Sequence, residues 1–510
     1  MKKTKLYVVL PMVFTMTCLT RISISQSRTE RINNIEAALP VIDKIFKDYA
    51  DKKHLPGFVY GLVVDGKLIH TSVKGFINLD KKIPATIQSD FRIASMTKSF
   101  TAMAILKLRD QGKLTLDDPV YSYIPEMKGQ RYLTNDAAPV TIRHLLTHAA
   151  GFPEDNPWGD RQLAISEEAM IRMIKKGISF SNVPGVAYEY SNMGFAMLGY
   201  IIKKISGQSY QKYITNNILI PLGMLHTYWD FSDVPANQLA HGYRWLNDQW
   251  VEQPLLKDGA YGAMGGMITT LEDFSKYASL HLAAWPPAND KESGPLKRSS
   301  IREMHQPWNF NLLMPAYEYP TGRKCPTVVA YGYGLSWTKD CDNRIMIGHS
   351  GGLPGFGSNW KILPDYGIGI ISFSNLTYAP TNFINTQVMD TLIALAKLNP
   401  ASLPVSAILN QRKDEIVKLL PQWNNAEATG IFADNFFMDY FPDALRKEAS
   451  AIFNKAGKIV RINDFIAINN LRGSFIMEGE KANIEISFTL TPENPALIQE
   501  YHIRELRNGK

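Results

Sequence analysis

Phe91-Arg92-Ile93-Ala94-Ser95-Met96-Thr97-Lys98, continuing through Ser99 to Asp110, sets a serine and a lysine three residues apart at the mouth of an almost wholly apolar run. Phe100, Ala102, Met103, Ala104, Ile105, Leu106 and Leu108 leave little polar face, the pattern of a helix buried nearly all round. Positions i and i+3 share a helical face, so the Ser95 hydroxyl and the Lys98 amine are expected to meet. The first helical turn would also place Ser95 where backbone N–H groups lack partners and negative charge is favoured. A serine beside a lysine of lowered pKa is a nucleophile. A capping serine beside a solvated lysine is the plain alternative, and the rest of the chain has to separate the two.

The chain has 510 residues, enough for roughly two to four domains. Its 45% hydrophobic and 20% charged content is that of a soluble globular protein with a sizeable core. The net charge of +7 is spread thinly, with no basic run or helix stripe, so a nucleic-acid partner is not expected. Residues 1–25 read as a signal peptide: Lys2, Lys3 and Lys5 precede an apolar Leu6 to Leu19, and Ser23-Ile24-Ser25 offers small residues for cleavage. The apolar run is too short to span a membrane and is broken by Pro11. Thr15-Met16-Thr17 is a poor context for lipid attachment at Cys18. The expectation is an exported protein, periplasmic or secreted, with no transmembrane anchor once the signal is cut. In that compartment the two remaining cysteines, Cys325 and Cys341, are expected to pair, and a loop of that size stabilises by roughly 3 kcal/mol in the chain-entropy model.

Glu30 to Lys53 has a helical period despite Pro40, and Gly57 to Val64 and Leu68 to Val73 are strand-like runs joined by the hairpin signal Asp65-Gly66. Thr141 to His148 reads as a short capped helix ending at Gly151, and Gly194 to Ile205 as another. Residues 226–260 and 284–330 read mostly as loops. Strands return from Tyr331 to Phe373, and a helix over Phe383 to Leu398 closes the unit. Strands at both ends with a helical middle predict an α+β fold, an antiparallel sheet flanked by helices plus a helical subdomain. Asn399-Pro400 opens a linker over 399–408, separating a main domain at 26–398 from a small α+β accessory domain at 409–510. In that last part helices precede alternating strands, a pattern similar to the cystatin-like and NTF2-like group.

Two further stretches bear on Ser95. In Pro184-Gly185-Val186-Ala187-Tyr188-Glu189-Tyr190-Ser191-Asn192, a tyrosine can move protons and an asparagine can hold an amide. In Gly348-His349-Ser350-Gly351-Gly352, at a strand end, the glycines admit close backbone approach and free N–H groups suit an oxyanion. The last stretch also fits G-x-S-x-G, the nucleophile elbow of α/β-hydrolases, but Leu353-Pro354-Gly355 follows where a helix is needed. The one later histidine, His502, falls in the final strand. His144 and His148 stand four apart without the intervening Glu of a zinc helix, so a structural role is expected.

Ser-x-x-Lys, Tyr-Ser-Asn and His-Ser-Gly in this order, over about 55–375, resemble the serine β-lactamase and penicillin-binding-protein family. The resemblance is nearest to its class C β-lactamase, DD-peptidase and esterase branch, whose pattern Thr141 to His148, Pro184-Gly185 and Pro221-Leu222-Gly223-Met224 also follow. It implies a β-lactamase/transpeptidase-like domain in which Ser95 is acylated and Lys98 and Tyr190 share proton transfer. Asn192 would hold the substrate amide, and His349, Ser350 and Gly351 would line the opposite wall. The N–H groups of Ser95 and Gly352 would form the oxyanion hole, with no metal or organic cofactor. β-Lactamases of the family usually carry lysine where this chain has His349, which is near neutral at pH 7. That departure favours small D-amino-acid peptides, peptidoglycan fragments, amides or esters over β-lactams. A β-lactamase, and a non-catalytic peptidoglycan- or partner-binding protein, are the two alternatives.

Overall fold

The computed structural model describes residues 28–401 and 403–506; the expected signal segment at 1–25, Cys18 included, lies outside them. Helix α1 (Arg28–Lys52) runs through Pro40 and leads into strand β1 (Gly57–Val64). Every residue of β1 is buried. Val59 and Val63 face one core while Phe58, Tyr60, Leu62 and Val64 face another, which is why the strand reads as a continuous apolar run. Asp65 and Gly66 both take positive φ, 48° and 75°, and turn the chain into β2 (Lys67–Asn78). Among the described residues, no helix is long and apolar enough to cross a membrane.

The helical middle begins with α2 (Thr97–Asp110), with Thr97 to Leu106 and Leu108 all buried. It continues through α3 (Ile142–Leu146), α4 (Glu167–Lys176), α5 (Asn192–Ser206) and α6 (Leu271–Ala283). The chain then returns to the sheet as β3 (Asn309–Met314), β4 (Thr327–Tyr331), β5 (Ser336–Asp340), β6 (Ile345–Leu353), β7 (Phe356–Leu363) and β8 (Ile368–Ser374). β1 pairs antiparallel with β8, so the early hairpin joins the late strands, as the split pattern predicts. The full order is Ile83–Pro84, β2, β1, β8, β7, β6, β5, β4, β3. Helices α1 and α7 (Thr381–Leu395) pack on one face and the helical middle on the other.

Two segments expected as loops are partly ordered. A hairpin forms over Tyr243–Leu246 and Gln249–Glu252, and β3 and all but the last residue of β4 lie inside 284–330. β3 is the edge strand and carries Phe310, Leu312 and Leu313 exposed, so its sequence lacks the apolar alternation of a half-buried strand. Cys325 and Cys341 form the expected disulfide, closing the open end of the β4–β5 hairpin. Replacing both by serine is expected to lower the unfolding free energy by up to about 3 kcal/mol, read from urea denaturation. Reduced wild-type protein should show the same shift.

Beyond residue 398 the first helix, α8 (Ala407–Leu419), starts with Ser406 as its cap, so the expected linker ends two residues early. α9 (Pro442–Ala456) follows, then strands at Ile459–Ile462, Ile466–Asn469, Arg472–Gly479, Asn483–Leu490 and Ile498–Leu506. Ile459–Ile462 and Ile466–Asn469 both pair with Arg472–Gly479. Helices and sheet close on their own core around Trp423, Phe475, Ile484, Ile486 and Tyr501.

Candidate active site

Ser95 lies in a single 3₁₀ turn, Ala94–Met96, just ahead of α2 rather than inside its first turn. The cause is Ala94, whose φ of 50° puts a Cβ-bearing residue in the left-handed region at a cost on the order of 1–2 kcal/mol. The turn is pinned by Thr97, whose hydroxyl donates to the Ala94 carbonyl at 2.7 Å. Strand β6 approaches this turn so closely that a Cβ on Gly351 would stand 2.1 Å from the Ile93 carbonyl oxygen. No side chain fits there, which accounts for the glycine.

The serine and the lysine meet. Lys98 is fully buried, and its Nζ donates to Ser95 Oγ at 3.0 Å, to Asn192 Oδ1 at 2.7 Å and to the Met264 carbonyl at 2.9 Å. It also lies 4.9 Å over the Tyr190 ring. Burial pulls its pKa down to about 7, against the partial restoring field of Asp160 and Asp155. Asn192 Oδ1 and the Met264 carbonyl only accept hydrogen bonds, so they claim two N–H groups of the amine. The third tetrahedral position faces Ser95, and in the neutral amine that position is the lone pair. Tyr190 is buried as well, which holds its phenol protonated well above the usual range even though Ser95 hydrogen-bonds it.

A cleft of about 510 Å³ opens over these groups, lined by Ser95, Tyr190, Ser350, Gly351 and Gly352 among others. His349 is on its wall, yet it offers no free donor to a ligand. Its Nδ1 lies 2.5 Å from the Ser350 carbonyl, which can only accept, so Nδ1 carries the proton and Nε2 takes the Tyr331 hydroxyl at 2.8 Å. Burial, and then the charge of Lys98, lower its pKa to about 3. His349 therefore lines the wall without a side-chain donor to give an anionic group. Asn192 is also otherwise engaged: its Nδ2 donates to Asn156 Oδ1 at 3.0 Å, and the amides that reach the cleft wall are Asn156 and Asn382. Ser350 stands in mid-strand and takes a hydrogen bond from Asn359 Nδ2 at 2.9 Å, unlike a strand-to-helix elbow.

Sequence reasoning missed two carboxylates. Asp155 accepts the N–H groups of Asn192 and Met193, at 2.7 and 2.9 Å, fixing the start of α5 against the site. Asp160 lines the cleft, accepts the Tyr378 hydroxyl at 3.0 Å, and is pushed up to about 6 by burial. His144 and His148 prove structural. Each uses Nδ1 to accept a backbone N–H, from Thr141 and Ser191 respectively, and the His148 ring packs 4.3 Å from that of Tyr190.

The sequence profile of the Beta-lactamase family matches residues 42–392. The chain is 31% identical over 392 residues to Protein flp of Staphylococcus aureus (strain N315), covering 73% of this chain and 70% of that protein. It is 32% identical over 461 residues to Beta-lactamase-like protein 2 of Dictyostelium discoideum, covering 82% of this chain and 80% of the relative. Among solved structures, the octameric penicillin-binding protein homologue from Pyrococcus abyssi superposes with a TM-score of 0.59 at 24% identity, over 92% of this chain and 94% of that one. The penicillin-binding protein from Bacillus halodurans does so at 0.53 and 24% identity, over 69% and 98%. With the serine–lysine pair, the antiparallel sheet and the match across most of its length, the chain belongs to the beta-lactamase family of serine hydrolase-type proteins.

Proposed function

We propose that the protein is an exported serine hydrolase that works through an acyl-enzyme at Ser95 on small peptides bearing D-residues, on related amides or on esters. The observation that carries this reading is the amine of Lys98, held by two obligate acceptors with its third position on Ser95 Oγ. With its pKa near 7, an appreciable fraction of Lys98 is free base at neutral pH. It takes the Ser95 proton as Oγ bonds to the substrate carbonyl carbon. The N–H groups of Ser95 and Gly352 receive the oxyanion. As the tetrahedral intermediate collapses, the bond to the leaving group breaks. That group takes the Tyr190 proton, and Tyr190 is reprotonated from Lys98. Water then repeats the sequence on the acyl-enzyme, releasing the acid and restoring Ser95.

His349 weighs against β-lactams as main substrates, because it is neutral and internally bonded where a permanent cation would receive their carboxylate. The intact Ser95, Lys98 and Tyr190 weigh against a pure binding role. The test is labelling with a fluorophosphonate followed by mass spectrometry, expected to place one adduct on Ser95. No adduct there overturns the catalytic reading. Turnover of p-nitrophenyl acetate is expected to rise with pH through a limb near 7 and to flatten above it, as Lys98 loses its proton. Nitrocefin hydrolysis faster than that of matched esters and D-Ala-D-Ala peptides would restore the β-lactamase reading.

A further inference from the structure

A second cavity, about 340 Å³, borders the catalytic cleft at His349, the two sharing Ser336, His349, Ser350 and Asn382. Its wall holds Lys361, on β7 opposite Gly348 of β6. The Lys361 ammonium donates once, to Thr386 Oγ1 at 2.6 Å, and Thr386 sends its own proton to the Asn382 carbonyl. Among the described residues no carboxylate pairs with it. Burial alone lowers its pKa to about 8, which leaves it mainly cationic at neutral pH. The hydroxyl of Thr338, buried in the same wall, has no partner at all. A half-buried cation with unused donors, lining one cavity with an unsatisfied hydroxyl, makes a place that an anion would complete. A carboxylate has acceptor sites for both.

We propose that this cavity is a specificity subsite for an acidic arm of the substrate, with Lys361 and Thr338 receiving a carboxylate carried on a short chain. The inference rests on Ser95 acting on a carbonyl in the adjoining cleft. It shifts anion recognition from His349 on β6 to Lys361 one strand away, and so selects substrates whose negative charge is displaced from the scissile bond.

Two measurements test it independently of each other. Calorimetric titration of the Ser95→Ala protein with glutaramate, which has one carboxylate, and glutaramide, which has none, reads binding without turnover. Glutaramate is expected to bind about ten- to a hundred-fold more tightly, as for a charge-assisted pair. The preference should vanish in Lys361→Met and largely persist in Lys361→Arg, which keeps the charge should the methionine variant fold poorly. In otherwise wild-type protein, the p-nitrophenyl monoester of glutaric acid should exceed that of glutaramic acid in kcat/KM by about ten-fold or more, with the ratio near one in Lys361→Met. Equal binding of the two amides, or a preference unchanged by Lys361→Met, overturns the subsite. Ester turnover that is absent while the binding preference stands would overturn the acyl-transfer reading and leave the subsite in place.

Discussion

Lys98→Met is expected to lower kcat/KM for p-nitrophenyl acetate by about 10³-fold or more while leaving the urea midpoint no lower than that of the wild type. The two halves of this result have one cause. Burial pulls Lys98 from the ordinary lysine range to about 7, so folding at neutral pH works against its protonation. A shift of that size corresponds to roughly 5 kcal/mol of differential stability between protonation states. Below pH 7 that penalty is present in full, because the unfolded lysine is charged and the folded one must be charged in a buried place; it fades as pH rises toward 10.5. Methionine fills similar space without charge. It strands Asn192 Oδ1 and the Met264 carbonyl, at about 1–3 kcal/mol each, which offsets most of the gain. Retained activity would remove Lys98 from proton transfer. A joint collapse of activity and stability would make it structural.

The second expectation is acid lability. His148, His281, His305 and His349 are buried, and burial depresses the pKa of each, to about 3 for His305 and His349. His305 takes the Trp285 indole N–H on Nδ1 at 2.8 Å, so its Nε2–H must donate to His281 Nδ1 at 2.7 Å, and both rings are fixed as neutral tautomers. Below about pH 6.5 each imidazole charges only on unfolding, so the unfolded chain binds more protons and stability falls as pH falls. Buried acids act in the opposite sense: Asp90 is pushed up to about 8 and Asp160 to about 6, so each is protonated when folded at a pH where the unfolded group is ionised. The histidines outweigh them, leaving a slope on the order of 1–2 kcal/mol per pH unit near pH 5.5. Urea unfolding at pH 7.5, 6.5 and 5.5 measures it. A flat profile would mean that these histidines charge inside the folded protein.

Much of the fold was legible because it is written locally. The Asp65-Gly66 turn, the apolar run of β1 and the buried stripe of α2 each carry their own signal over a few residues. The pairing of Ser95 with Lys98 followed from helical spacing, and it survived even though the serine sits in a 3₁₀ turn. What was illegible depends on partners distant in sequence. Nothing in an alanine announces the positive φ of Ala94. Asp155 and Asp160 belong to no motif, and only the fold brings them near Lys98 and the start of α5. The tautomer of His349 is set partly by Tyr331, on a different strand, and Asn192 turned out to hold Lys98 and Asn156 instead of facing the cleft. Strand β3 was hidden because an exposed edge lacks the one-sided burial that makes strands readable.

The contact between Gly351 and the Ile93 carbonyl has a consequence for how such a site diverges. The gap between nucleophile and opposite wall is gauged there by the Ile93 carbonyl against the main chain of β6, with the Ser358 hydroxyl donating to that carbonyl at 2.7 Å, and the side chains of His349, Asn156 and Lys361 take no part in it. Residues such as His349, Asn156 and Lys361 can be exchanged over evolutionary time, altering which molecules are accepted, while the reacting atoms keep their spacing. In this scaffold chemistry and selectivity are separate inheritances, and a single glycine divides them.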